Sequence, residues 1–249
     1  MTAFQFRVSS YLFTPKLIPS LVTLILFPTL VFLGLWQLDR AEEKREIDNG
    51  VSQAIAKPAL GLNNHNVLKL NNEIYRKDTI NGHYDIKQQL LLDNRTHLGK
   101  PGYHVLTPFL FQGINGNYAV LVNRGWISYQ GTRDNIPNIE LVEDEREIKG
   151  TIKAVNRSIV LTETEKQQST LAVYPRLIQS IEIAELSQEL KYKLLPIIIE
   201  LDKSDQDGFV REWQPYYGSI DKHNAYALQW FVMAAILLFL YIKLNLKKS

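Results

Sequence analysis

HNAYALQWFVMAAILLFLYI occupies residues 223–242, and no formal charge interrupts it between Lys222 and Lys243. A helix of that length rises roughly 30 Å, enough to cross the hydrocarbon core of a bilayer. A second uncharged run, Leu17 to Leu38, lies between Lys16 and Asp39. It is longer than the apolar core of a signal peptide and no small-x-small cleavage pattern follows it, so it reads as an uncleaved anchor. Pro19 and Pro28 within it bend a helix without forbidding a span. The two runs decide the layout. We expect a tail over 1–16, a transmembrane helix over 17–38, one domain over 39–222, a second transmembrane helix over 223–242 and a tail over 243–249.

The 249 residues carry a net charge of +2 and a mean hydropathy of −0.14, averages that hide two materials. Every acidic residue lies between Asp39 and Asp221, while the ends carry only Arg7, Lys16, Lys243, Lys247 and Lys248 as charges. Short basic tails stay cytoplasmic, so both termini are expected inside and the central domain in the periplasm of a bacterial inner (plasma) membrane. A leader of 16 residues is shorter and poorer in arginine than a mitochondrial presequence. The absence of cysteine removes disulfides and thiolate metal sites. Nothing is basic enough to follow a phosphate backbone, so the lipid bilayer is an expected partner and nucleic acid is not. Sequons at Asn94 and Asn156 read as accidents in a bacterial chain.

In the central domain, DRAEEKREIDNGVSQAIAK continues the first helix out of the membrane to about Lys57-Pro58, because its residues are good helix formers and proline disfavours helix before it. RKDTINGHYD, KQQLLLDNR, REIKGTIKAV and LLPIIIELD read as strands. YHVLTPFLF and NYAVLVNRGWI flank Gly113-Ile-Asn-Gly116, a hairpin signal. SIEIAELSQELKY places Ile183, Leu186 and Leu190 on one helical face, with Ser180 as the expected N-cap. The expected fold class is an α+β membrane protein. Two transmembrane helices flank one mostly antiparallel β domain, sandwich or barrel-like, with a few helices.

The usual catalytic signatures are missing: no G-x-S-x-G, no P-loop, no H-E-x-x-H, no dinucleotide fingerprint. No nucleophile–base pair can be proposed, so an enzyme is not expected. His97 and His104 are separated by a Gly-Lys-Pro-Gly loop, with His83 the other nearby histidine, and ordinary strand-end histidines are the plainer reading. Asp93, Asn94 and Arg95 fit an ion-paired turn, and Arg124 and Trp126 around Gly125 fit a strand end with a core Trp and a paired Arg. The membrane edges carry more. Trp36, Gln37 and Arg40 leave the first span at the level where His223, Tyr226 and Trp230 enter the second, the last three at i, i+3, i+7. An aromatic belt explains the rings alone. The same set also suits a flat macrocycle. Imidazole ligates haem iron, the rings offer faces, Gln37 and Gln229 offer polar groups, and Arg40, Lys222 or Arg211 would meet propionates.

One ordered series spans nearly the whole chain: GLWQLDR (34–40), GHYD (82–85), LLLDNRTHLGKPGYHVLTPF (90–109), VLVNRGW (120–126), YPRLIQ (174–179) and DKHNAYALQWF (221–231). It resembles the surfeit locus protein 1 family of cytochrome c oxidase assembly factors. The resemblance implies an assembly factor for a haem-copper oxidase, with oxidase subunit I as partner, haem a biosynthesis enzymes as further candidates, and haem a as cofactor or cargo. It implies that His223 is the iron ligand, with Trp36 and Gln37 matching the family's Trp-Gln. RAEEKRE is more acidic than the stretch the family shows there. Gly102, Tyr103, Asn123, Arg124 and Gly125 match fold and partner-surface motifs. The expected site is therefore His223, Tyr226, Trp230, Trp36, Gln37 and Arg40. The rival expectation is a haem-free scaffold that stabilises nascent subunit I. A copper carrier is disfavoured by the missing cysteines and only two methionines.

Overall fold

The computed structural model describes residues 6–8, 11–129, 131, 137, 139, 144–155, 175–213 and 219–248. In chain order its elements are β1 (Phe6–Val8), β2 (Tyr11–Phe13), α1 (Leu17–Ala56), β3 (Lys77–Tyr84), β4 (Leu90–His97), β5 (Lys100–Gly113), β6 (Gly116–Ser128), β7 (Arg146–Ala154), β8 (Arg176–Ile178), α2 (Ile183–Leu190), β9 (Leu194–Leu201), α3 (Ile220–Asn245) and β10 (Leu246–Lys248), with 3-10 turns at Leu62–Asn64, Val67–Asn72 and Ile86–Gln88. They fall into two compact units, Val51–Pro215 and the combined ends Met1–Gly50 with Tyr216–Ser249. Asn156 of the second sequon and Tyr174 of YPRLIQ lie outside the described residues.

The larger unit is a closed five-stranded barrel. Strand pairs run β3–β7, β7–β9, β9–β6, β6–β5 and back from β5 to β3; β6 and β9 are parallel and the other pairs antiparallel. Of the sandwich and barrel alternatives, the structure takes the barrel. Closure depends on β5 serving two neighbours on one edge. Its first half pairs with β4, and Phe109 and Leu110 pair with Tyr84 and His83 of β3. Gly82 makes that seam possible, because a Cβ there would lie 2.1 Å from the Leu110 carbonyl oxygen. Strands β4 and β8 extend beyond the ring as a flap, β8 parallel to β4.

Period-two alternation sorts the side chains. Ile80, Phe109, Val120, Val122, Ile148, Ile152, Ile197 and Ile199 join one fully buried cluster drawn from all five ring strands. Leu62 and Leu70 of the 3-10 turns complete it. The alternate residues of β6, Ala119 and Leu121, join Leu90, Leu92 and Leu106 against Leu186 and Leu190 of α2. Strand β6 is thus covered on both faces, which is why YAVLV reads as a continuous apolar run.

Three local expectations need correction. Helix α2 is capped by Glu182 without a side-chain hydrogen bond, not by Ser180. Ile181 is buried in the α2 cluster, so the chain stays non-helical through it and the helix starts two residues later than expected. The loop between His97 and His104 is only Leu98-Gly99, both at positive φ, since His97 already pairs with Lys100. Arg124 and Trp126 lie within β6, at a bulge where Val105 faces Gly125 and Leu106 faces Asn123.

In the other unit α1 runs unbroken through the expected Leu17–Leu38 span to Ala56, and α3 starts at Ile220, where Ser219 Oγ accepts from Lys222 N at 3.3 Å. Both are long and apolar enough to cross a membrane, and only 6% and 11% of their most apolar windows are buried. Such uncovered apolar length is compatible with a helix that faces lipid. The helices are antiparallel neighbours. Contacts link Gln37 to His223, Gly34 to Phe231 and Ser20 to Tyr241. Strands β1, β2 and β10 close the far end as a small antiparallel sheet. Asn245, fully buried, fastens it, accepting from Lys16 N at 2.9 Å and donating to Tyr241 O at 2.8 Å.

Candidate functional site

Between Ser20 and Ala41 the buried or half-buried positions of α1 are Ser20, Thr23, Phe27, Leu30, Val31, Leu33, Gly34, Gln37 and Ala41, and between His223 and Tyr241 those of α3 are His223, Asn224, Ala227, Trp230, Phe231, Ala234, Leu237 and Tyr241. One row on each helix is Ser20, Thr23, Phe27, Leu30, Gly34, Gln37 and Ala41 facing His223, Ala227, Trp230, Ala234, Leu237 and Tyr241. Steps alternating between three and four residues form a seam of period 3.5, as in antiparallel coiled helices. Small residues let the axes approach: Ala41, Ala227 and Ala234 are buried, and a Cβ on Gly34 would lie 2.6 Å from Phe231 Cε1. His223 and Gln37 belong to this seam. They face the partner helix because of their spacing from the small residues.

At the Gln37 level the imidazole is held. His223 Nδ1 and Gln37 Oε1 are 2.8 Å apart. An amide oxygen can only accept, so Nδ1 carries the proton, and in the neutral imidazole Nε2 keeps its lone pair. One helical turn from Gln37, the Arg40 guanidinium lies over the Trp36 ring at 5.7 Å and pairs with Glu43 at 2.7 Å. Trp36 and Tyr226 are 42% and 52% exposed. Trp230 is half-buried and Gln229 exposed. Among the described residues none of the three rings stacks on another.

The structure therefore brings Gln37 to His223 and Trp36 to Arg40, and gives Gln37 a role that sequence reading missed. It contacts the histidine itself. No pattern within either helix signals this, because the partners are 186 positions apart. Of the three cations considered for propionates, Arg211 is committed elsewhere. Its guanidinium donates to the backbone oxygens of Asp202, Lys203 (3.3 Å), Asp205 (2.7 Å) and Phe209 (3.2 Å). Lys222 is exposed, and no side-chain partner for it is recorded among the described residues.

The barrel's polar residues are spent on structure. Arg124 is 2% exposed; Nε donates to Asp207 O (2.8 Å) and NH1 to Gln89 Oε1 (3.2 Å), with its Cζ 5.6 Å from the Tyr84 ring and 5.0 Å from the Phe209 ring. Trp126 Nε1 donates to Arg95 O at 3.0 Å. Asp93 is buried and accepts from Tyr129 OH at 2.7 Å. The three histidines have separate settings: His83 beside Glu145 (3.1 Å), His97 against Trp126 (5.1 Å), and His104 against Asn123 (3.1 Å). Burial, aided by Arg95, pulls the His104 pKa down to about 4. No group of three metal-binding side chains occurs among the described residues.

The model of the SURF1 family matches residues 24–235, from inside the first apolar run to inside the second. A SURF1-like protein of Rickettsia felis is 30% identical over 234 residues, covering 90% of this chain and 95% of its own length. A SURF1-like protein of Dictyostelium discoideum is 23% identical over 88% of this chain and 93% of its own. Surfeit locus protein 1 of Takifugu rubripes is 27% identical over 57% of this chain and 62% of its own.

Proposed function

The chain belongs to the SURF1 family, known as a family of cytochrome c oxidase assembly factors, and from that premise we propose that it carries haem a at the membrane edge toward oxidase subunit I. In this reading α1 and α3 cross the bacterial inner membrane, both tails are cytoplasmic, and the barrel is periplasmic. The protein acts by binding and release, not by catalysis.

The observation that carries the proposal is the hydrogen bond between Gln37 and His223. A histidine that ligates a metal through one ring nitrogen is commonly held through the other, which sets its tautomer and orientation. Here Nδ1 is held, which leaves Nε2 of the neutral imidazole for a metal, and Trp36 and Tyr226 are exposed rings at the same end of the two helices. The donor set fits a haem: one imidazole for iron, two ring faces for the macrocycle, and Arg40 and Lys222 as cations for propionates. Haem a would be cargo, and a single protein ligand suits cargo that must leave.

Spectra of the full chain test this. Purified in mild detergent from a host that makes haem a, the wild type should show a haem a band in oxidised and reduced spectra. His223→Ala should lose or shift it. Gln37→Leu should keep haem but weaken its retention by roughly 10- to 100-fold, the usual loss for a residue that holds a metal ligand. A colourless wild type, or a band indifferent to His223→Ala, would favour the haem-free scaffold.

A further inference from the structure

At the end of the hairpin far from His223, α1 and α3 line an open groove of about 560 Å³. Its wall is mostly apolar, from Leu21, Leu24 and Phe27 of α1 and Leu238 of α3, with Thr23 and the Ser20 Oγ–Tyr241 OH pair, 2.8 Å apart, as its polar points. Pro28 lies at its inner end. Proline has no N–H, so the Leu24 carbonyl lacks its usual donor four residues on, and the ring crowds that turn. The volume falls within the range of small-ligand cavities, about 300–1,000 Å³.

Charge selects the occupant. Lys16 lies one helical turn before Ser20, and Lys243 two residues after Tyr241. Lys247 follows in β10, and all three side chains are exposed. No salt bridge involves them among the described residues. No acidic residue precedes Asp39 or follows Asp221, so the charged side chains near this end are all positive. An apolar trough with a hydroxyl pair near its mouth and unopposed lysines beyond matches an amphiphile with one long chain and an anionic head.

We propose that this groove binds an anionic phospholipid of the leaflet at the basic end, one acyl chain lying along Leu21, Leu24 and Leu238 and the phosphate meeting Lys16, Lys243 and Lys247. The inference rests on the reading that α1 and α3 span the membrane and is independent of any haem. A bound lipid would fill the gap opposite Pro28 and tie the two tails together where β2 and β10 already pair.

The test uses the full chain in mild detergent and native mass spectrometry. The probes are phosphatidylglycerol and phosphatidylcholine with identical acyl chains. The wild type should retain phosphatidylglycerol at least roughly tenfold more than phosphatidylcholine, as expected for several lysines acting on one anionic head. Replacing the lysines together (Lys16→Gln, Lys243→Gln, Lys247→Gln) should abolish the preference without disturbing the helices. Leu24→Trp, which fills the groove and leaves the lysines, should reduce retention of both lipids. Equal retention of the two lipids by the wild type, or an unchanged preference in the triple variant, overturns the proposal. Release of the chain from membranes by alkaline carbonate would overturn the membrane reading as well; the lipid comparison alone leaves that reading standing.

Discussion

The helix hairpin and the barrel each close on a glycine, and the two glycines meet different things. A Cβ on Gly34 would press on the Phe231 ring at 2.6 Å, while a Cβ on Gly82 would press on the Leu110 carbonyl oxygen at 2.1 Å. A ring at the end of a side chain can swing aside. A carbonyl inside a sheet cannot move without breaking the pairing of β3 with β5. The hairpin is therefore a tolerant interface, packed through a seam and left uncovered elsewhere. The barrel is an over-determined one, in which each strand is fixed by two neighbours and a shared core.

The sharpest way to break this contrast is at the two glycines. Gly82→Ala should cost about 3 kcal/mol or more, since backbone must shift in a closed sheet, and chemical denaturation of the full chain would measure it. Gly34→Ala should cost about 1 kcal/mol and leave the barrel transition unmoved. Equal losses at both sites would mean that the hairpin is as rigid as the barrel.

A second test is internal to the barrel. Burial raises the Asp78 pKa to about 6, partly offset by hydrogen bonds from backbone groups including Thr79 and Leu62. Between about pH 4 and 6 the folded chain keeps a proton there that the unfolded chain has released, so stability from Asp78 falls as pH rises. His104 works the other way. With its folded pKa near 4 the unfolded chain binds the extra proton, so stability from His104 falls as pH drops from about 6.5 to 4. The two slopes oppose each other over nearly the same window, and each amounts to about 3 kcal/mol. Asp78→Asn should leave stability rising from pH 4 to 6.5. His104→Gln should leave it falling from pH 4 to 6. Thermal melts of both variants across this range check the signs, and parallel profiles would refute them.

The smallest expected effect is in the hairpin. Ser20→Ala removes one interhelical hydrogen bond, worth about 0.6 kcal/mol between membrane helices. Steric-trap or detergent-unfolding measurements should find a loss of that order, well below the barrel glycine. A loss above about 2 kcal/mol would make the Ser20–Tyr241 pair a principal fastening of the helices.

The contrast also separates what could be read early from what could not. The uncharged runs, the strand patterns and the Gly113–Gly116 hairpin follow from local rules: lipid demands length without charge, and a strand with one buried face alternates. Ser180 as a cap failed because Ile181 is required in the α2 cluster. Arg211 reads as a free cation from its local sequence, yet four backbone oxygens take its donors. In both cases tertiary demand overrode local chemistry.

By itself the sequence determined that two helices long and apolar enough for a bilayer bracket a β-rich domain, and that a histidine and several rings gather at one end of them. These are properties of contiguous residues, settled by hydropathy, charge and period. Only the tertiary structure decided that the β domain closes as a barrel, that β6 runs parallel to β9, and that Gln37 is the residue that holds His223. Each depends on which distant segments come into register. That choice is made by the summed packing of whole strands and helices, and no local stretch of the chain encodes it.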